Sequence, residues 1–281
     1  MDSSLKKQLL IDAAKIRMHV ITGTFHAKSG HPGGSLSITD TLAYLYRCIM
    51  KVNPQNPDDP DRDRLVLSKG HTAPALYGAL ALHGFFPEEE IPRLRKVNAM
   101  LQGHPDMRKT PGVDMSTGSL GQGVSAANGM ALAAKLDKKA YRVFAVLGDG
   151  EIEEGQVWEA AMFAKAKNLD NLCWIIDNNN LQIDGTLEEV NSPYPIPEKL
   201  EAFGFRVFEA DGHDFDSLEA TFKQVLASNG TPCAVILKTV KGKGVSFMEN
   251  QVGWHGKATN AEEYEIAMAE LRATLKACEE A

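Results

Sequence analysis

At 281 residues, with 43% hydrophobic and 24% charged residues, the chain is long enough for one large globular domain and too well balanced in composition for disorder. Its net charge of −7 argues against non-specific nucleic-acid binding, which needs a basic face. No apolar run approaches the length of a membrane span, the first residues lack the apolar stretch of a signal peptide, and Cys48, Cys173, Cys233 and Cys278 are scattered without a C-x-x-C pair. A cytoplasmic protein with reduced thiols, no nucleic acid and no membrane association is the expectation.

In chain order, residues 4–27 carry Leu5, Leu9, Ala13, Ile16, Val20 and Ile21 close to helical period. Ser29-Gly-His31-Pro-Gly-Gly-Ser35 reads as the break after that helix, and residues 38–50 as a second helix closed by a proline-rich stretch. A short strand at 64–68 delivers Lys69-Gly-His71 and is followed by a helix at 73–83, with another short helix opening at 85. Gly103-His104-Pro-Asp106 lies in a long loop that leads to Ser116-Thr-Gly118-Ser-Leu-Gly-Gln-Gly123 and a small-residue helix at 124–135. Apolar runs at 143–147 and 172–176 read as buried strands around an alanine-rich helix at 153–167. Beyond a break at 193–197 come a short helix at 197–203, a strand at 205–209, a helix at 215–228 and a strand at 233–239. That last strand ends at Lys241-Gly-Lys243-Gly244; a loop through Trp254-His255-Gly256 leads to a final helix at 261–276. The alternation predicts a single α/β domain over 1–281, doubly wound, with a mostly parallel sheet and helices on both faces.

The two central strands stop at oxygen-bearing side chains, Asp149 in Gly148-Asp-Gly150 and Asn178-Asn179 thirty residues later. In an open parallel sheet both would reach the carboxyl edge, where ligands bind. Asp and Asn oxygens with nearby carbonyls suit a hard cation, Mg²⁺ or Ca²⁺, and not zinc. The glycines leave room for an anion against the backbone, and a helix starting just after Gly150 would aim amides at it. A plain turn and a polar loop are the alternative for either segment alone. His31, His71, His104 and His255 all lie beside glycine in predicted loops, placed for proton transfer or for binding hydroxyls. A three-histidine zinc site is the competing reading, without a His-x₃-His helix or a cysteine partner to support it.

Gly148-Asp-Gly150 followed by Asn178-Asn179 resembles the metal–diphosphate motif of thiamine diphosphate enzymes. The fuller wording, Gly-Asp-Gly-x-x-x-Glu-Gly and then Asn-Asn-x-Leu-x-Ile-Asp-Gly, is similar to the transketolase family in particular, as are the four histidine loops and Gly118-Ser-Leu-Gly-Gln-Gly123. Ser119 stands where that family commonly has proline. The resemblance implies Mg²⁺, with Ca²⁺ or Mn²⁺ as substitutes, held by the side chains of Asp149 and Asn179 and the carbonyl of Leu181. It implies thiamine diphosphate contacts from His71, Gly118, Ser119, Leu120, Gly148, Asp149, Gly150, Asn179 and Ile183, and a subunit-contact carboxylate at Glu154. It makes His31, His71, His104 and His255 the catalytic imidazoles. Lys241 and Lys243 resemble a phosphate-binding pair, with solvated lysines in a glycine-rich turn as the alternative reading.

Complete transketolases are more than twice as long, and their later domains hold the aminopyrimidine end of the cofactor. The implied protein is therefore the N-terminal subunit of a two-subunit transketolase. It would pair with a C-terminal, pyrimidine-binding subunit, as α2β2, and move a two-carbon ketol unit between sugar phosphates. The rival readings are other thiamine diphosphate enzymes (a 2-oxoacid dehydrogenase α subunit, deoxyxylulose-phosphate synthase, an enzyme of an unusual sugar phosphate) and a non-catalytic cofactor-binding regulatory subunit.

Overall fold

Each of the five apolar runs forms a strand in the computed structural model, which describes residues 1–280. They are β1 Arg64–Leu67, β2 Val143–Gly148, β3 Leu172–Asn178, β4 Arg206–Asp211 and β5 Cys233–Lys238. They pair in the order β1-β2-β3-β5-β4, and every pair is parallel. The helices that return the chain are α1 Ser3–Ala27, α2 Pro32–Tyr44, α3 Ala73–Leu82, α4 Gln122–Leu136, α5 Gly155–Ala166, α6 Leu187–Val190, α7 Ile196–Ala202, α8 Phe215–Ala227 and α9 Ala261–Glu280.

Alternation along the central strands builds a core on each face. Phe144, Val146, Cys173 and Ile175 point into one with α1, α2, α3, α8 and α9; Val143, Ala145, Leu147, Trp174 and Ile176 point into the other with α4, α5 and α7. Helices on both sides of a parallel sheet make this the doubly wound architecture. Leu9 near the start of the chain and Leu271 near its end lie in the same core, and α1 packs against α2, α3 and α9.

Two helix starts differ from the pattern. The Pro32-Gly-Gly stretch begins α2 instead of only ending α1, because a proline in the first helical turn gives up no hydrogen bond. All of α2 is buried, so packing outweighs the poor helix propensity of its glycines. It runs on through a π-helical turn, Leu45–Ile49. The segment after Gly150 is a 3₁₀ turn, Gly150–Glu153, and α5 starts only at Gly155, so no long helix aims its first amides from directly behind Asp149. The stretch after Phe85 likewise forms a 3₁₀ segment, Glu88–Arg93. Short helix α6, capped reciprocally by Thr186 and Glu189, escaped the pattern, and α9 runs four residues further than expected.

Candidate active site

Because all strands run the same way, their carboxyl ends share one edge, and β2 and β3 are in register there, Gly148 beside Asp177. Asp149 and Asn179 therefore sit on neighbouring strand ends. The Asp149 carboxylate is buried and accepts the Gly150 N–H at 2.9 Å and the Asn180 N–H at 2.6 Å. Burial, reinforced by the nearby charge of Asp177, pushes its pKa up to about 7 despite those two amides. Asn179 folds back so that its Oδ1 accepts the Leu181 N–H at 3.1 Å, and the Leu181 carbonyl accepts from Lys241 Nζ at 2.9 Å.

Beneath this rim lies a buried ion pair between Lys69 and Asp177, only 2% and 0% exposed. Asp177 also accepts hydrogen bonds from Ser37, Thr239 and, at 3.3 Å, Asn179 Nδ2. Burial alone would raise this carboxyl, but the Lys69 ammonium and the hydroxyl donors hold it below the usual carboxylate range. The other cation, Lys241, is 2% exposed and has no carboxylate ion-pair partner among the described residues. Burial lowers its pKa to about 8, against the pull of Asp149. Its ammonium also donates to His255 Nδ1 at 2.9 Å. An ammonium has only donors, so that ring carries its proton on Nε2.

Glu151 ties the loops together. Its buried carboxylate accepts from Ser68 Oγ at 2.5 Å, Gly121 N–H at 2.9 Å and Gly148 N–H at 3.0 Å. The ends of β1 and β2 and the start of α4 thus meet on one side chain.

Four loops bring the predicted histidines together. The His31 ring centroid lies 5.2 Å from that of His71, 5.5 Å from His255 and 6.4 Å from His104; His71 and His255 stack at 5.1 Å. Burial lowers His31 to about 4, helped by Arg95, and His255 to about 3, helped by Lys241. His71 and His104 shift the same way, so the cluster is neutral near pH 7. His31 Nδ1 is buried without a hydrogen-bond partner, an atom that invites a ligand group.

A cavity of about 250 Å³ joins these parts; it is lined by His31, His71 and His255, by Lys69 and Lys241, and by Asp149, Asn179 and Leu181. Gly118, Leu120, Gly148, Gly150 and Ile183 complete the predicted residues on its wall, Leu120 and Ile183 with exposed side chains. Three predicted residues stand outside it. His104 is exposed and packs its ring against Gly118, where a Cβ would lie 3.2 Å from it. Ser119 is exposed, and so is Glu154, whose Cβ lies close against Gly121. A wider cleft of about 730 Å³ next door, at the ends of β3, β4 and β5, contains none of the histidines.

Sequence alone did not single out Lys69, Asp177, Glu151 and Lys241 as parts of the site. Lys69 and Asp177 carried a usable signal, a charged residue directly after an apolar strand run at the same sheet edge. Lys241 looked like a solvated lysine in a glycine-rich turn. Its burial depends on loops far away in sequence.

Among the described residues no group of three or more His, Cys, Asp or Glu is arranged to hold a metal ion. Asp149, Asn179 and Leu181 line one cavity from the neighbouring ends of β2 and β3, and a buried carboxylate with a raised pKa is among them. That donor set fits a hard, mostly water- and phosphate-ligated cation. Lys241 beside it and the orphan His31 nitrogen fit an anionic group with a polar remainder.

Residues 7–276 match the family described as "Transketolase, thiamine diphosphate binding domain". The chain is 50% identical over 242 residues to the 6-deoxy-6-sulfo-D-fructose transketolase subunit of Clostridium sp. (strain MSTE9), covering 86% of this chain and 88% of that one. It is 42% identical over 263 residues to an apulose-4-phosphate transketolase subunit of Phocaeicola vulgatus, covering 94% and 93%. Among solved structures, transketolase from Campylobacter jejuni superposes with a TM-score of 0.89 at 31% identity, over 99% of this chain and 46% of the other. The chain thus spans nearly the whole of the two subunits and less than half of the longer enzyme.

Proposed function

Since the chain belongs to the transketolase thiamine diphosphate-binding family, we propose that it is the diphosphate-binding subunit of a two-subunit transketolase. In this reading it moves a two-carbon ketol unit from an anionic ketose to an aldose phosphate. The observation that carries it is the joining of Asp149, Asn179 and Leu181 to three neutral imidazoles and two lysines in one cavity.

Asp149, Asn179 and the Leu181 carbonyl would hold Mg²⁺, and Lys241, Gly150 and Gly118 would meet the diphosphate. Once bound, thiamine diphosphate supplies the electron sink for breaking a carbon–carbon bond beside a ketone. This chain's part is to hold and move protons. With Nδ1 occupied by Lys241, His255 presents Nε2–H as a donor. His31 and His71 line the same cavity, and His104 packs beside it against Gly118. A neutral imidazole can accept a hydroxyl proton and return it; burial and the Lys241 charge disfavour the imidazolium so formed, which keeps the transfer transient. Lys69 stays on Asp177 and sets the rim's shape.

At about 250 Å³ the cavity is smaller than the ~300–1,000 Å³ usual for small-molecule sites, and Leu120 and Ile183 leave apolar surface on its open side. Both fit a cofactor covered by a C-terminal partner subunit in an α2β2 assembly, with Glu154 at the contact. The 50% identical relative makes a sulfonated ketose the first donor to try, and the 42% identical one makes apulose-4-phosphate the second. The test mixes the chain with its candidate partner, thiamine diphosphate and Mg²⁺ and follows ketol transfer from each donor. Full turnover by the chain alone refutes the split site; cofactor binding with no activity on any partner favours a regulatory subunit.

A further inference from the structure

The loop that presents Lys241 is tied to a second buried cluster, one that contributes nothing to the cavity wall. Arg17 grips both carboxylate oxygens of Asp40, with Nη1 at 3.0 Å, and Asp40 Oδ2 meets His213 Nδ1 at 2.7 Å. Arg17 and Asp40 are buried, at 9% and 4% exposure. The other nitrogen of the His213 ring, Nε2, accepts the Val240 N–H at 2.9 Å. A backbone amide only donates, so Nε2 bears a lone pair and the proton sits on Nδ1, donated to Asp40. Arg17 Nε in turn donates to the Lys243 carbonyl at 3.0 Å. The cluster therefore holds one peptide group just before Lys241 and another just after it.

Stability alone gives no reason for this arrangement, since buried ion pairs are often matched or bettered by apolar side chains of the same volume. What the cluster adds is direction. Val240 can donate to only one place, and with that place fixed the next side chain leaves the loop toward Leu181 and His255. We propose that His213, oriented by Asp40, is a positioning residue for Lys241 and hence for the diphosphate end of the cofactor site, an inference that rests on the function proposed above.

Two near-isosteric replacements separate the halves of the ring. His213→Asn places a donor where Nδ1 was, keeps Asp40 satisfied and leaves the Val240 amide without its acceptor. His213→Gln places an acceptor where Nε2 was and keeps Val240. The full chain would be compared with both variants by hydrogen exchange at the Val240 amide, by thermal unfolding, and by calorimetric titration with Mg²⁺–thiamine diphosphate. The expected result is at least tenfold faster Val240 exchange and about tenfold weaker cofactor binding in His213→Asn, both restored to within about threefold in His213→Gln, with the two unfolding midpoints alike. Equal losses of affinity in the two variants, in step with their midpoints, would mean a structural role only and overturn the proposal, as would unchanged affinity in His213→Asn. Should the unaltered chain bind no Mg²⁺–thiamine diphosphate either alone or with its candidate partner, the cofactor reading falls, and the exchange contrast alone then upholds or overturns the hold of His213 on the loop.

Discussion

Replacing Lys69 by methionine is the sharpest test of the floor of the site. The change keeps the length of the buried stem and removes the ammonium, leaving Asp177 at 0% exposure with no opposite charge. Breaking one side of a buried pair typically costs ~3–5 kcal/mol. Asp177 retains three donors, from Ser37, Thr239 and Asn179, so the low end, ~3 kcal/mol, is expected. For a chain of this size that lowers the unfolding midpoint by roughly 6 °C or more. The assay is calorimetric or circular-dichroism melting of the ligand-free chain, closed into a double-mutant cycle with Asp177→Asn. The double variant, with no uncompensated charge, should recover on the order of 2 kcal/mol relative to the sum of the singles. A loss under ~1 kcal/mol for Lys69→Met, or strict additivity in the cycle, would show that the pair does not hold the rim.

Three more expectations follow from the same geometry. Asp149→Asn should raise ligand-free stability at pH 8 by roughly 1–2 kcal/mol, because it removes a buried carboxylate whose pKa has been driven up to about 7, and it should abolish Mg²⁺-dependent cofactor binding; denaturation and titration read the two effects separately. His31 titrates near 4 in the folded chain against an ordinary value of 6.5, so the stability tied to its neutral form is complete above pH 6.5 and is lost as pH falls toward 4. NMR of its ring protons should show no titration between pH 8 and 6, and His31→Asn should flatten the acid side of the stability profile. Gly242→Ala should destabilise by at least ~2 kcal/mol and weaken cofactor binding, since φ is +81° there and a Cβ would collide with the Met248 carbonyl; normal melting in this variant would contradict the loop geometry.

The sheet was legible because a buried parallel strand announces itself as an unbroken apolar run, and the two central runs were placed almost to the residue. That Asp149 and Asn179 meet at one sheet edge was legible for the same reason, since each lies at the end of such a run. The start of α2 was not, because Pro32-Gly-Gly has the composition of a break and becomes helix only under complete burial. His213 was invisible for a different cause, and Lys241 was legible only as one of a lysine pair with a solvated alternative. Each is fixed by a partner more than fifty residues away, Asp40 in the first case and Leu181 in the second.

Glu151 has a consequence for anyone wishing to transplant or rebuild this pocket. Because one carboxylate receives Ser68, Gly121 and Gly148, three loops that differ widely in chain position share a single fastening point. Exchanging any one of them for the corresponding loop of a relative puts the other two at risk unless the new loop offers its donor at the same spot. The pocket is heritable as a set and not in pieces, and a designer altering what it accepts would do better to vary Leu120, Gln182 and Ile183 on its wall, which take no part in that fastening.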